Sequence, residues 1–154
     1  PESRGSIHIT SSDPNNQPAI DFNFLSAPVD AELTVIAVRI ARSIMTAPAT
    51  EPLSISEIAP GEPLTKDDEI LDWVKASAET TYHPVGTCKM GLESDPLAVT
   101  DLEGRVRGIE NLRVVDASLM PILVTGNTNA PTVMMSEKIA DAIRGRGGLP
   151  RAEV

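Results

Sequence analysis

His83 and Asn127 are the residues whose types and settings best suit chemistry. Each sits among residues that restrict the backbone. His83 lies in Tyr82-His83-Pro84-Val85-Gly86-Thr87-Cys88-Lys89-Met90-Gly91, and Asn127 in Gly126-Asn127-Thr128-Asn129-Ala130-Pro131-Thr132. Pro84 fixes its own φ and biases His83 toward an extended conformation. Gly86 permits a close approach of the chain. An imidazole held this way can accept a proton near neutral pH. Asn127 precedes a helix whose start is marked by Pro131. A helix N-terminus presents unpaired N–H groups and partial positive charge, which stabilise an anion. A carboxamide beside that end can hold an alcohol or alkoxide oxygen. Plainer readings stand beside these. A lone histidine in a small domain is more often structural or exposed, and an asparagine in Gly-Asn-Thr-Asn is more often a turn residue.

The other candidates carry less. His8 lies on a predicted strand and reads as structural. Cys88 is the only cysteine, so an internal disulfide is excluded and a cysteine-based zinc site disfavoured. Nothing flags it as reactive, and it reads as a buried inert thiol. Met134 and Met135 read as core packing. Gly86 to Gly91 spaces like a phosphate-binding loop, but Leu92 and Glu93 stand where that loop needs other residues. No Gly-x-Gly-x-x-Gly follows a strand, and no metal-ligand cluster is visible.

These residues need a scaffold, and the composition allows one. A chain of 154 residues with 41% hydrophobic residues can build one domain with a core. Its net charge of −9 argues against a nucleic-acid partner and against docking on anionic lipid. No apolar run approaches a membrane span of about 20 residues. No signal peptide is visible at the start, and the expected location is cytoplasmic.

The expected class is α+β, an antiparallel sheet covered by helices. Ser6 to Thr10 and Ala19 to Phe24 read as a hairpin around the Asp13–Pro18 turn cluster. Ser26 is the expected N-cap of a helix from about 27 to 46, with Pro28 and Asp30 in its first turn. Val29, Leu33, Ile36, Ile40 and Ile44 form its predicted buried face. A loop follows, with a short strand at Leu53 to Ile58. Thr65 is the expected cap of a second helix, from about 66 to 81, buried through Ile70, Leu71, Val74 and Ala78. Leu112 to Val115 reads as a buried strand. The last helix is expected to start near Pro131, run to about Arg144 and end at Gly145.

At these motifs the chain resembles the C-terminal, substrate-side part of the glucose–methanol–choline (GMC) flavoprotein oxidoreductases, choline dehydrogenases among them. The resemblance runs from Pro1-Glu2-Ser3-Arg4-Gly5-Ser6 and the Asp13-Pro14 turn through the His83 block. It continues in Leu112-Arg113-Val114-Val115-Asp116-Ala117-Ser118 and closes with the Asn127 block and the final helix. It implies a fragment of an FAD-dependent enzyme that oxidises a CH–OH group. His83 matches the family's catalytic histidine, and Asn127 the second active-site position, with Asn129 as its rival. Asp116 and Ala117 match the segment near the ribityl and diphosphate of FAD. Asn129, Ala130, Pro131 and Thr132 match the turn and helix start beneath the flavin. The FAD-binding half of the family is not in these 154 residues. It is the expected partner, and the final helix is expected to belong spatially to it. The isolated chain is therefore expected to be colourless, inactive and prone to self-association. Two alternatives remain open on this scaffold: a flavin-containing cyanohydrin lyase, and a non-catalytic binding module.

Overall fold

The computed structural model describes residues 1–53 and 56–148. Contacts group the chain into two compact units, residues 1–80 and residues 81–154. Each has its own construction.

In the first unit, β1 (Ser6–His8) and β2 (Ala19–Asp21) pair antiparallel, with Ile7 opposite Ile20. The connecting turn is closed by Asp13, whose Oδ1 accepts from the Asn15 N–H at 2.9 Å. Gly5 lies so near β2 that a Cβ there would meet the Asp21 carbonyl oxygen at 2.2 Å. Two helices follow, α1 (Pro28–Met45) and α2 (Asp67–Ser77). The α+β class holds, but the helices do not cover the sheet. Every residue of β1 and β2 is exposed, while α1 and α2 pack on each other.

The start of α1 differs from the expected Ser26 cap. Ala27 occupies the cap position and makes no side-chain cap, and Pro28 opens the helix. Distant residues satisfy this end instead. Ser3 Oγ accepts from the Ala27 N–H at 3.0 Å. The Asp30 carboxylate accepts from the backbone N–H groups of Glu2 at 2.8 Å and Ser3 at 2.7 Å, and from the Ser3 hydroxyl. Those donors, the Ser3 hydroxyl first, hold the Asp30 carboxyl down to about 2. At α2 the cap is Lys66 rather than Thr65. The Lys66 N–H donates to Glu69 Oε2 at 3.4 Å, and Asp67, Asp68 and Glu69 complement the helix dipole. The helix stops at Ser77, not near 81, and Ala78 turns extended and exposed.

The core of this unit is Val35, Ile70 and Val74, flanked by Leu25, Val38, Leu64, Leu71 and Trp73. The face predicted for α1 is therefore wrong. Leu33, Ile36, Ile40 and Ile44 are all exposed. Apolar residues run nearly all round this helix, so a 3.6-residue period fits more than one face, and α2 packs on the side carrying Val35 and Val38. The loop after α1 forms a 3-10 turn at Glu51–Leu53. The strand expected at Leu53 to Ile58 falls partly outside the described residues, and positions 56–58 form none. Arg42 ties the rest of the loop down. It donates to Glu57 Oε1 at 2.7 Å and to the carbonyls of Leu64 at 2.7 Å and Gly61 at 3.1 Å. The guanidinium in turn holds the Glu57 carboxyl below its ordinary range.

Among its described residues the second unit has one α-helix, α3 (Asn129–Ile143), and a 3-10 turn at Ala117–Leu119. The other described residues of this unit are loop, joined by single bridges: Met90 with Thr100, Thr100 with Val106, and Arg105 with Arg113. The buried strand expected at Leu112 to Val115 is only the last of these, and Leu112 is exposed. Short pairings replace a strand because Gly104 turns the chain at φ +72°, and a Cβ there would meet the Val114 carbonyl oxygen at 2.5 Å. Leu119, Met120, Ile139 and Thr100 are buried. Helix α3 begins two residues before Pro131, and Gly145 follows it at φ +67°. Met134 is exposed rather than packed in the core, and Cys88 is only half-buried.

Candidate active site

Both segments singled out in the sequence fall in the second unit. The His83 loop is built by three backbone devices. Tyr82 takes the left-handed conformation at φ +61°, which a bulky residue seldom adopts. Pro84 follows His83, and Gly86 turns at φ +86°. His83 is half-buried, and its Nδ1 lies 3.4 Å from Thr81 Oγ1.

The loop is then stitched to a second stretch, Asp116 to Met120. The Cys88 N–H donates to the Ser118 carbonyl at 3.0 Å, and the Met90 N–H to the Leu119 carbonyl at 2.8 Å. A Cβ on Gly86 would stand 3.2 Å from the Met120 carbonyl oxygen. Glycine is what lets these two segments meet so closely. Beneath them, Thr100 is fully buried and donates through Oγ1 to the Cys88 carbonyl at 3.3 Å. Lys89 pairs with Asp95 at 2.8 Å, holding the Asp95 carboxyl below its ordinary range. Arg107 donates to the Gly91 carbonyl at 2.8 Å.

Asp116 has a local task here. Its Oδ1 accepts from the Ser118 N–H at 2.8 Å and from the Ser118 hydroxyl, capping the Ala117–Leu119 turn. Its carboxylate is exposed, and Ala117 is half-buried.

Asn127 is exposed, one residue before Thr128, which caps α3. Thr128 is buried, and its carbonyl accepts from the Thr132 N–H at 3.0 Å and the Thr132 hydroxyl at 2.7 Å. Its own side chain makes no cap bond, and the first turn carries no acidic residue. Asn129 and Ala130 are therefore exposed at a helix end whose N–H groups are uncapped by side chains. Pro131 and Thr132 are half-buried. Of the two asparagines, Asn127 precedes the helix and Asn129 is its first residue. Among the described residues, no hydrogen bond joins His83 to Asn127, and the imidazole's contact is Thr81.

The sequence reading missed Thr81 altogether. Its proximity to His83 depends on the left-handed backbone of Tyr82, and residue types alone do not announce that conformation. Among the described residues, no group of three or more His, Cys, Asp or Glu could hold a metal ion, and no helix is long and apolar enough to cross a membrane.

A family model for GMC oxidoreductases matches residues 1–136. The chain is 53% identical over 153 residues to an oxygen-dependent choline dehydrogenase of Chromohalobacter salexigens, covering 99% of this chain and 27% of that protein. It is 52% identical over 150 residues to the enzyme of the same name from Stenotrophomonas maltophilia, covering 97% and 27%. Among solved structures, pyridoxine 4-oxidase from Mesorbium loti superposes with a TM-score of 0.84 at 33% identity, over 96% of this chain and 28% of that one. An FAD-dependent oxidoreductase from Chaetomium thermophilum gives a TM-score of 0.83 at 31% identity, over 92% and 24%. The chain thus spans about a quarter of the length of the curated relatives it matches.

Proposed function

The chain belongs to the GMC oxidoreductase family, and from that membership we propose that it is the substrate-side portion of an FAD-dependent enzyme oxidising an alcohol to an aldehyde or ketone. His83 is the base and Asn127 the group that holds the substrate oxygen. The observation that supports this most is the stitching of the His83 loop to the Asp116–Met120 turn, by the Cys88–Ser118 and Met90–Leu119 hydrogen bonds. Two stretches that carry the family resemblance are thereby hydrogen-bonded to each other.

The residues fit a bound flavin. The start of α3 has no side-chain cap and no carboxylate in its first turn, so its N–H groups can face a negatively charged ring or phosphate. Asn129, Ala130, Pro131 and Thr132 form that end, and Asp116 and Ala117 flank the stitched loop. FAD, when bound, supplies the acceptor for the hydride that leaves the carbinol carbon. His83 does the proton chemistry. Its imidazole takes the hydroxyl proton, so the oxygen gains charge as the hydride departs. Asn127 donates its amide N–H to that oxygen and stabilises the charge. The FAD-binding portion of the same polypeptide is the partner, and α3 packs against it.

Choline is the substrate to test first, because relatives at about half identity are named for its oxidation. In the full-length protein, choline oxidation should fall at least about tenfold in Asn127→Ala and much less in Asn129→Ala, the loss expected when one oxyanion donor is removed. The reverse order would transfer the role to Asn129. No oxidation of choline or any simple alcohol by the intact, flavin-loaded protein would remove the proposal.

A further inference from the structure

We propose that Thr81 is a positioning residue for His83: its hydroxyl accepts from Nδ1–H and so leaves Nε2 as the open, proton-accepting nitrogen. The inference rests on the reading of His83 as the base. It starts from the contact itself, Thr81 Oγ1 to His83 Nδ1 at 3.4 Å. The two residues are separated only by Tyr82, whose backbone sits at φ +61°.

That conformation disfavours a residue with a large side chain and persists only where the surroundings hold it. Here the surroundings are Pro84, Gly86 at φ +86° and the pairings of Cys88 and Met90. They fix the chain on the C-terminal side of His83, and on the other side the Tyr82 turn sets the Thr81 hydroxyl beside Nδ1.

A neutral imidazole carries its proton on one nitrogen and a lone pair on the other. A base that must accept through Nε2 needs the proton on Nδ1. A threonine hydroxyl has two lone pairs and one proton, so it can accept from Nδ1–H while donating elsewhere. The same acceptor remains in place when the ring becomes doubly protonated after taking the substrate proton. No covalent step is assigned to Thr81. It selects the tautomer and the rotamer of the ring.

The test uses full-length, flavin-loaded protein with choline as the probe. Thr81→Val removes the acceptor with little change in shape, and Thr81→Ser restores it. A single neutral hydrogen bond predicts a fall in kcat of about three- to tenfold for the valine variant, with KM nearly unchanged. The serine variant should recover most of the loss. Selective 15N labelling of histidine supplies a readout independent of turnover. The His83 ring should be in the Nδ1–H form in the parent and Thr81→Ser proteins, and should shift toward Nε2–H in Thr81→Val. Unchanged ring nitrogen shifts in Thr81→Val overturn the proposal, as does a serine variant that behaves like valine. His83→Ala separates the two levels of the argument. If it retains parental turnover, the reading of His83 fails and Thr81 with it. If it is inactive while Thr81→Val matches the parent, only the role of Thr81 falls.

Discussion

Residues 1–80 keep their order through two helices that share a small apolar core, whereas residues 81–148 keep theirs largely through hydrogen bonds between loops. In the first unit Val35, Ile70 and Val74 are buried against each other, and ion pairs such as Arg42–Glu57 fasten the connecting loop. In the second, single bridges at Met90, Thr100, Arg105 and Arg113 stand where a sheet would stand elsewhere. The residues suited to chemistry lie in the second kind of structure. Loops can aim a side chain in directions that a regular element forbids, provided other bonds hold them still. Here the holding is done by backbone N–H groups and by glycines that allow close contact.

That contrast can be attacked at each end. Ile70→Ala should produce the largest loss of stability, about 2–5 kcal/mol, because a fully buried side chain leaves a cavity between α1 and α2. Thermal or denaturant unfolding measures it, and a loss below 1 kcal/mol would deny that this small core holds the first unit. Gly104→Ala probes the second unit where no apolar side chain is removed. The added methyl would meet the Val114 carbonyl at 2.5 Å on a backbone at φ +72°, so a cost of more than about 1 kcal/mol is expected. A neutral outcome would mean that the loops yield freely instead of being held by their hydrogen bonds.

The smallest effect concerns the entry to α1. Asp30 titrates at about 2 in the fold against an ordinary 3.8, held down by the Ser3 hydroxyl and the Glu2 and Ser3 N–H groups. A lowered carboxyl stabilises the fold when ionised. Its contribution is therefore full above about 3.8 and disappears as the pH drops toward about 2. Asp30→Asn should be less stable at neutral pH, and its deficit should shrink across that acid window. Parallel melting curves for the two proteins over the window would show that the carboxylate is not what secures residues 2 and 3.

Much of the first unit is legible in the sequence. The turn cluster at Asp13 to Pro18 announces the hairpin, Pro28 marks the start of α1, and the acidic run at Asp67 to Glu69 marks α2. What escapes is which side of α1 is buried, since its apolar residues surround the axis and only α2 chooses among them. The caps escape too. Ser3 and Asp30 lie 27 positions apart, and no local pattern joins them. In the second unit, Gly145 signals the end of α3, but isolated bridges leave no period to read. The proposed site stands out at His83 and Asn127 through residue type and flanking proline and glycine. Thr81 is not, because its place depends on one backbone angle at Tyr82.

His83 is the proposed acceptor of the alcohol's proton. The most direct measurement is anaerobic rapid mixing of the full-length, flavin-loaded His83→Ala protein with choline, following the loss of flavin absorbance. Flavin reduction should slow by about 10²- to 10⁴-fold, the range for removing a general base, while the flavin stays bound. Reduction at the parental rate would contradict the account.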